Sequence, residues 1–348
     1  MQELTPKCST VSSMARQPHA NALRPADCVQ GSRGSGGSQP PPLALLLLIF
    51  TQRANEERRN WQRTTFLGRS WQAGEAAADP TAKDSTASSW RYVYVLGREQ
   101  PGAKKGGGLG RLVGDSVMLS AVSDSYPNLV YKTLESLRWV IRRVPCEVML
   151  KTDDDTIVHV GRALRWLAQL APPSRAHWRA QVYAGRVFND SQIIRPNFTR
   201  KDLLNPSWFP DDFLKWSAPY EAVAGVGGIW YPPYCSGGGY LLGVAAARRL
   251  VARHDERIRR GLPVVRVEDA YVGILASEAT RPRVRPTDIS HLVQDPPVGR
   301  PQLPALFAAQ ILVHRVGGGG GGVAAPAQAF EWLLYNHERE KGLKRAHR

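Results

Sequence analysis

The chain has 348 residues, of which 43% are hydrophobic, and this composition supports a sizeable core and excludes a chain that is disordered throughout. The formal net charge is +16, but the basic residues are spread along helix-like segments and show neither zinc-finger spacing nor an RNP-type aromatic motif. A solvated basic surface therefore explains most of the charge, and nucleic acid is not the expected partner.

The N-terminal part of the chain carries few structural signals before its first apolar run. Residues 1–42 are rich in glycine, serine, proline and glutamine without an apolar period, which predicts a disordered segment. Leu43–Phe50 is apolar over eight residues. A transmembrane helix needs about 18 or more, so this run predicts a buried parallel strand. Asn55 is the predicted N-cap of a helix that follows.

Strands and helices alternate over residues 43–155. After the first strand, the pattern predicts strands at Trp90–Leu96, Asp115–Val122 and Glu147–Lys151, with a helix over Asn128–Arg143. This alternation predicts an α/β fold with a Rossmann-like, mostly parallel sheet and flanking helices. In such sheets ligands bind beyond the carboxyl ends of the strands.

The second half of the chain is less regular. Residues 185–235 are loop-rich, a helix is predicted over Val244–Arg260, and Val264–Val267 is predicted to be a strand. Residues 316–348 comprise a glycine run and a basic tail. A disulfide between Cys146 and Cys235 is left open, because sequence alone cannot show the geometry that it needs.

Three aspartates follow the predicted strand that ends at Lys151. Adjacent carboxylates repel each other, and a bound divalent cation removes that cost. In extended chain Asp153 and Asp155 point to the same side, so both are predicted metal ligands, while Asp153 and Asp154 are predicted to bind the nucleotide. Oxygen ligands suit Mn²⁺ or Mg²⁺. The alternative is a solvated acidic turn.

A glycine-rich aromatic segment covers Tyr231–Tyr240. Gly237, Gly238 and Gly239 permit a close approach of the backbone to a ligand, and they are candidate cofactor-binding residues. The tyrosines, with Trp230, offer flat faces of the kind that pack on sugar rings. The alternative interpretation is a plain turn.

An acidic pair and one histidine complete the candidate chemistry. Glu268 and Asp269 open a predicted helix, whose N-terminus favours the ionised form that a general base requires. A helix-capping role for Asp269 is the equal alternative. His314 lies in an apolar run, where a histidine is more often a core residue, and the acidic cluster makes it a candidate third metal ligand.

Taken in order, these segments resemble the β-1,3-galactosyltransferase family, which includes β-1,3-N-acetylglucosaminyl- and N-acetylgalactosaminyltransferases. The resemblance covers residues 43–315. Asp124–Thr133 is similar to the family's Asp-x-Tyr-x-Asn-Leu-x-x-Lys-Thr segment, and Lys151–Asp155 to its DxD motif. Tyr231–Tyr240 and Glu268–Gly273 resemble its Tyr-Pro-x-Tyr-Cys-Ser-Gly-x-Gly-Tyr and Glu-Asp-Val-Tyr-x-Gly motifs.

The resemblance implies a GT-A fold and an inverting hexosyltransferase. The enzyme would move a sugar, expected to be galactose, from a UDP donor to a hydroxyl of a glycan or glycoprotein in β-1,3 linkage. Arg58 and Arg59 match the family's Arg-Arg helix and are expected at the donor site. A family member would also lie in the Golgi membrane through an N-terminal anchor, although no such segment is visible in this sequence.

The resemblance also implies roles for the residues that occupy the motif positions in this sequence. Asp155 and Asp153 would hold Mn²⁺ and UDP, with His314 completing the metal shell. Asp269 would be the catalytic base, with Glu268 beside it. The runner-up hypothesis is a non-catalytic glycan-binding protein on a degenerate transferase fold, which the intact acidic residues argue against.

Overall fold

The computed structural model describes residues 21–28, 42–68, 90–98, 110–170, 176–209, 211–223, 228–279, 283–294 and 311–313. They form an α/β fold with one sheet of eight strands and one of three. The strands are β1 (Leu43–Phe50), β2 (Trp90–Arg98), β3 (Arg111–Val113), β4 (Ser116–Ser123), β5 (Cys146–Asp153), β6 (Ile157–Val158), β7 (Tyr183–Phe188), β8 (Tyr234–Gly243), β9 (Thr287–Asp288), β10 (Val293–Gln294) and β11 (Leu312–Val313).

Six α-helices lie within the described ranges. They are α1 (Glu56–Thr64), α2 (Leu129–Arg143), α3 (Val160–Leu170), α4 (Ala176–Arg179), α5 (Val244–Arg259) and α6 (Glu268–Glu278). None of those helices has the combined length and apolarity of a transmembrane span.

The large sheet has the strand order β3-β4-β2-β1-β5-β8-β7-β9. The pairings from β4 through β2 and β1 to β5 are parallel, whereas β8 is antiparallel to both β5 and β7. The predicted Rossmann-like α/β architecture with flanking helices is confirmed. A parallel half and an antiparallel half meet where β5 pairs with β8.

The strand β1 lies in the middle of this sheet and is buried along its whole length. Leu46, Leu48 and Phe50 belong to the core that contains α2, α5 and α6. The alternate residues Leu45 and Leu47 belong to the opposite core, which contains residues of α1 and α3. A strand that is covered on both faces needs no polar alternation, so the prediction of a buried strand is confirmed.

The structure answers three points of the sequence analysis: two expectations are wrong, and the disulfide that was left open is not formed. Val264–Val267 is not a strand: Val265 and Val267 fill the core beside α5 and α6, which requires buried side chains but no strand pairing. The Asn55 side chain does not cap α1. Cys146 and Cys235 are both free, because they begin antiparallel neighbours and so lie at opposite ends of the β5–β8 pair.

A further difference concerns the N-terminal segment. Residues 21–28, which were predicted to be disordered, have a defined structure. Leu23 donates its N–H to the carbonyl of Tyr92 at 2.9 Å, and the Tyr92 N–H donates to Asn21 at 3.0 Å. Ala22 and Leu23 are fully buried. They occupy the edge of β2 ahead of Tyr94, where pairing with β4 begins.

The burial of β1 predicts a large effect of cavity formation. Leu47 is fully buried, so Leu47→Ala should lower the free energy of unfolding by about 2–5 kcal/mol in urea titrations. Leu204 is 53% exposed, and Leu204→Ala is the matched control that should change stability by about 0.5 kcal/mol or less. Equal effects of the two substitutions would contradict the buried position of β1.

Candidate active site

The candidate site lies at the carboxyl ends of β1 and β5, beside the N-terminus of α6. The antiparallel register pairs Lys151 of β5 with Tyr240 of β8, and Thr152 with Gly239. This pairing brings the acidic segment and the glycine-rich segment, which lie far apart in sequence, side by side. The Thr152 hydroxyl donates to the Gly238 carbonyl at 3.1 Å and fixes that register locally.

Asp154 is buried and engaged by the loop and helix that follow β1. One carboxylate oxygen accepts hydrogen bonds from the Thr51 hydroxyl at 2.6 Å and from the Asn55 amide at 2.7 Å. The other accepts from Arg58 at 3.1 Å. The Gln62 amide donates to the Asp154 carbonyl. Asp154 therefore anchors α1 to the end of β5, and Asn55 serves this anchor instead of a helix cap.

The two arginines predicted at the donor site differ in exposure. The Arg59 side chain is 4% exposed and donates to the carbonyls of Gln52 and Arg53 and to the Glu56 carboxylate. It shapes the turn between β1 and α1. The Arg58 side chain is 44% exposed while it contacts Asp154, so part of its guanidinium group faces solvent at the site.

Asp153 and Asp155 are both partly exposed at the end of β5. A hydrogen bond from the Thr156 N–H to the Asp153 carbonyl, at 3.2 Å, closes a turn over the triplet. The extended-chain alternation behind the metal prediction therefore ends at Asp153. His314 lies outside the described residues, so its assignment as a ligand has no structural counterpart here.

The predicted metal site would be formed by the two partly exposed carboxylates of this segment. Within the described ranges, no group of three or more His, Cys, Asp or Glu side chains is arranged to hold a metal. Mg²⁺-type sites often use only one or two protein carboxylates and take their other oxygens from water and substrate phosphates. Asp153 and Asp155 supply two carboxylates, which fits a metal that binds together with a diphosphate.

Lys151 is a buried cation beneath the acidic residues. Its ammonium group donates to the Gly237 carbonyl at 2.6 Å and to Asp153 Oδ1 at 3.0 Å, and lies 3.7 Å from Glu268 Oε2. Burial disfavours the charged form, but the charges of Asp153 and Glu268 outweigh burial and raise the pKa of Lys151. The ammonium group thus remains charged and compensates carboxylates from two elements.

Glu268 is fully engaged within the fold. Its Oε1 accepts hydrogen bonds from the Thr133 hydroxyl at 2.9 Å and the Tyr240 hydroxyl at 2.8 Å, and its side chain is 3% exposed. These contacts join α2, β8 and α6 at one carboxylate. A group held in this way supports the site without facing a substrate.

Asp269 differs from its neighbour because it is partly exposed. Its Oδ2 accepts the Gly237 N–H at 2.9 Å and its Oδ1 accepts the Ala270 N–H at 2.9 Å. The N-cap position of α6 is Val267, which makes no side-chain cap hydrogen bond. Asp269 is therefore not the helix cap, although its Oδ1 accepts an N–H of the first turn. Burial, and after it the charge of Glu268, raise the pKa of Asp269 to about 6. The hydrogen bonds from the two N–H groups and the charge of Lys151 lower the pKa and offset part of this increase.

The glycines of β8 make this arrangement possible. A Cβ atom on Gly237 would lie 3.2 Å from Asp269 Oδ2, and one on Gly239 would lie 2.9 Å from a methyl carbon of Leu312. Such distances are tighter than ordinary side-chain contacts. The absence of side chains therefore lets α6 and β11 pack closely on the strand, and these glycines act in packing within the described structure.

The aromatic residues of this segment do not present their faces to solvent. Tyr231, Tyr234 and Tyr240 are all buried, and the hydroxyl of Tyr234 donates to Ser191. The expectation that these rings pack on a sugar is wrong for the three tyrosines. Tyr234 and Tyr240 lie in the interior strand β8, and Tyr231, which precedes it, packs in the same core. Trp230, which precedes the strand, is 39% exposed and remains available.

Two ion pairs that stabilise the fold outside the site had no predicted role. Lys132 of α2 forms an ion pair with Asp124 at 2.5 Å and donates to the Thr51 carbonyl. Arg63 pairs with both oxygens of Asp115. A charged side chain within an otherwise apolar segment could have indicated such a role. Lys151 near the end of its strand and Lys132 in its helix are both examples.

Comparisons with known proteins show the family of the chain. The galactosyltransferase family model matches residues 61–287, and the chain belongs to that family. At 32% identity over 166 residues, it resembles the Homo sapiens acetylgalactosaminyl-O-glycosyl-glycoprotein β-1,3-N-acetylglucosaminyltransferase, with 47% of this chain and 35% of that protein covered.

Other relatives are matched over more of the chain. Mus musculus β-1,3-galactosyltransferase 4 is 25% identical over 269 residues, with 71% of this chain and 63% of that protein covered. The chain thus spans between about one third and two thirds of these first relatives. The crystal structure of galactosyltransferase LgtC, solved with donor and acceptor sugar analogues, matches 83% of this chain and 95% of its own. Its identity is 9% and its TM-score 0.35, a similarity too low to carry any argument.

The contacts of the aspartate triplet predict unequal effects of substitution. Asp154→Ala removes the acceptor for Thr51, Asn55 and Arg58, and should lower the free energy of unfolding by about 1–3 kcal/mol. Asp155→Ala, the neighbouring and partly exposed carboxylate, should change it by less than about 1 kcal/mol. Chemical denaturation of both variants without added metal measures the difference. A larger loss for Asp155→Ala would refute the anchoring role of Asp154.

Proposed function

We propose that this protein is an inverting β-1,3-hexosyltransferase that transfers galactose from UDP-galactose to a hydroxyl of a glycan or glycoprotein. Membership of the galactosyltransferase family supports a sugar transferase, and the names of the similar proteins support the β-1,3 linkage. We also propose that it acts at the Golgi membrane, as the family resemblance implies. The observation that carries the proposal is the carboxylate Asp269.

Asp269 has the properties of a general base. It is partly exposed, is oriented by the Gly237 N–H at 2.9 Å, and has a pKa of about 6. A base works best when its pKa lies near the operating pH, because it is then ionised and still binds a proton strongly. At neutral pH Asp269 is therefore ready to accept the proton of a sugar hydroxyl.

The reaction follows from that group. The acceptor hydroxyl transfers its proton to Asp269 while its oxygen attacks the anomeric carbon of the donor. The bond between that carbon and the diphosphate oxygen breaks, and UDP leaves from the opposite face, so the configuration inverts. A base positioned in this way typically contributes a factor of about 10²–10⁴ to the rate.

The donor side is proposed to use the carboxyl end of β5. Asp153 and Asp155, with His314, would hold Mn²⁺ or Mg²⁺, and Arg58 would contact the diphosphate from the adjacent helix. When bound, the cation would neutralise charge on the departing diphosphate. Lys151 keeps Asp153 in place from below, through a hydrogen bond of 3.0 Å.

The function is tested with purified protein, a panel of UDP-galactose, UDP-N-acetylglucosamine and UDP-N-acetylgalactosamine, and simple galactoside and N-acetylhexosaminide acceptors. UDP release should be fastest with UDP-galactose, should stop after chelation with EDTA, and should return with Mn²⁺ more than with Ca²⁺. A folded protein that binds glycans without releasing UDP would support the non-catalytic alternative. Undiminished turnover after exhaustive chelation would rule out the metal site.

The role of Asp269 predicts a selective loss of turnover. Asp269→Asn keeps the size of the side chain but removes its ability to accept a proton, so kcat should fall by roughly 10²-fold or more while UDP affinity stays nearly unchanged. Glu268→Gln is the matched comparison. It should cost less in kcat and more in thermal stability, because Glu268 accepts two buried hydrogen bonds.

The pH dependence provides a second readout of the same group. Since Asp269 must be ionised and its pKa is about 6, kcat/KM should fall about tenfold per pH unit as the pH decreases below about 6, and level off above it. In Asp269→Asn the residual kcat/KM should no longer decrease as the pH falls below about 6. Retention of both the rate and this decrease in the variant would exclude Asp269 as the base.

A further inference from the structure

Lys151 connects the two halves of the candidate site. On the donor side its ammonium group contacts Asp153 Oδ1 at 3.0 Å. On the acceptor side it contacts the Gly237 carbonyl at 2.6 Å, and the N–H of the same glycine holds Asp269 Oδ2 at 2.9 Å. Asp153 is thus linked to Asp269 through one buried lysine and the backbone of Gly237.

We propose that Lys151 is a positioning residue that holds the donor-side carboxylate Asp153 and the base Asp269 at a fixed separation. The proposal rests on the proposed transferase function, because the separation matters only if a donor is held at one carboxylate and an acceptor at the other. Lys151 acts through these neighbours and needs no contact with either substrate.

The surroundings of Lys151 restrict where its ammonium group can lie. The side chain is 3% exposed, and the nitrogen lies 5.2 Å from the Phe50 ring centre and 6.0 Å from that of Tyr240. An ammonium group has three donors, and three acceptors surround it: Asp153, Gly237 and Glu268. Two of these contacts, to Asp153 and Gly237, are hydrogen bonds, and the one to Glu268 at 3.7 Å is an ion pair.

The placement of Lys151 also explains why two acidic motifs can converge. Asp153, Glu268 and Asp269 come from two elements, and like charges that meet in a poorly hydrated site repel each other. The buried ammonium group offsets this repulsion before any substrate binds. Without it, the Gly237 carbonyl and the carboxylates of Asp153 and Glu268 lose a shared partner, and the backbone of Gly237, whose N–H holds Asp269, loses one of the contacts that fix it.

Loss of this alignment should affect the chemical step more than binding. A misplacement of reacting groups by about 1 Å can cost about 10²-fold in rate. We therefore expect Lys151→Met, which keeps the length of the side chain without its charge, to lower kcat by about 10²-fold. The dissociation constant for UDP with Mn²⁺, measured by titration calorimetry, should change by less than about threefold.

Lys132→Met provides a matched control. Lys132 is also buried and ion-paired, and its nitrogen lies 5.7 Å from the same Phe50 ring. Its hydrogen bonds go to Asp124 and to the Thr51 carbonyl, away from Asp269. Its loss should lower the melting temperature as much as the loss of Lys151, but should keep kcat of the folded protein within about threefold of wild type.

A second variant reaches the same chain of contacts if Lys151→Met fails to fold. Gly237→Ala leaves Lys151 in place but sets a Cβ atom 3.2 Å from Asp269 Oδ2, so the carboxylate must shift. We expect kcat to fall by about tenfold or more with UDP affinity unchanged. Normal kcat in Gly237→Ala would overturn the positioning role.

The outcomes separate the two proposals. Wild-type protein that is folded but releases no UDP from any donor overturns the transferase function, and the role of Lys151 with it. Active wild type with normal kcat in Lys151→Met overturns only the positioning role. An equal loss of kcat in Lys132→Met, or a loss of UDP affinity as large as the loss of kcat, shows a general or donor-only effect and overturns it as well.

Discussion

The candidate site depends on one electrostatic constraint, which is that carboxylates from two elements must lie close together with little water around them. Such a cluster is stable only when a cation or hydrogen-bond donors compensate each charge. Lys151 provides that compensation at the contact between β5, β8 and α6. Because the lysine belongs to the strand itself, the compensation is present as soon as the sheet forms.

Each acidic motif divides its work between neighbouring residues. Asp154 and Glu268 are buried and accept several hydrogen bonds from the fold. Asp153 and Asp269 are partly exposed and face the region where substrates are proposed to bind. The buried carboxylate of each pair stabilises the fold through its hydrogen bonds. The partly exposed carboxylate is therefore not needed for stability and can be oriented toward a substrate. This division explains why carboxylates occur in adjacent positions.

The topology of the sheet brings these pairs together. The carboxyl ends of the parallel strands β1 and β5 lie side by side. Because β8 runs antiparallel to β5, the amino-terminal part of β8 lies next to the carboxyl end of β5. Glycines in β8 allow α6 to approach until Asp269 meets the strand backbone. The site therefore lies where the parallel half of the sheet meets the antiparallel half, a place where α/β folds commonly bind ligands.

The sequence by itself determined the α/β class, the buried strand at Leu43–Phe50 and the acidic motifs, because apolar runs, helical periods and clustered charges are local patterns. It also predicted the family. It did not reveal that Val264–Val267 is not a strand or that Ala22 and Leu23 lie beside β2. Both facts depend on which remote backbone segment pairs with which.

Only the tertiary structure decided which carboxylate of each motif anchors the fold and which stays partly exposed. Asp154 and Asp153 are equivalent in sequence, yet Thr51, Asn55 and Arg58 converge on Asp154 alone. Lys151 likewise gains its role from Gly237, which is distant in sequence and adjacent in the sheet. The physical reason is that burial and hydrogen bonding are properties of contacts between remote segments, and no local pattern of residues specifies those contacts.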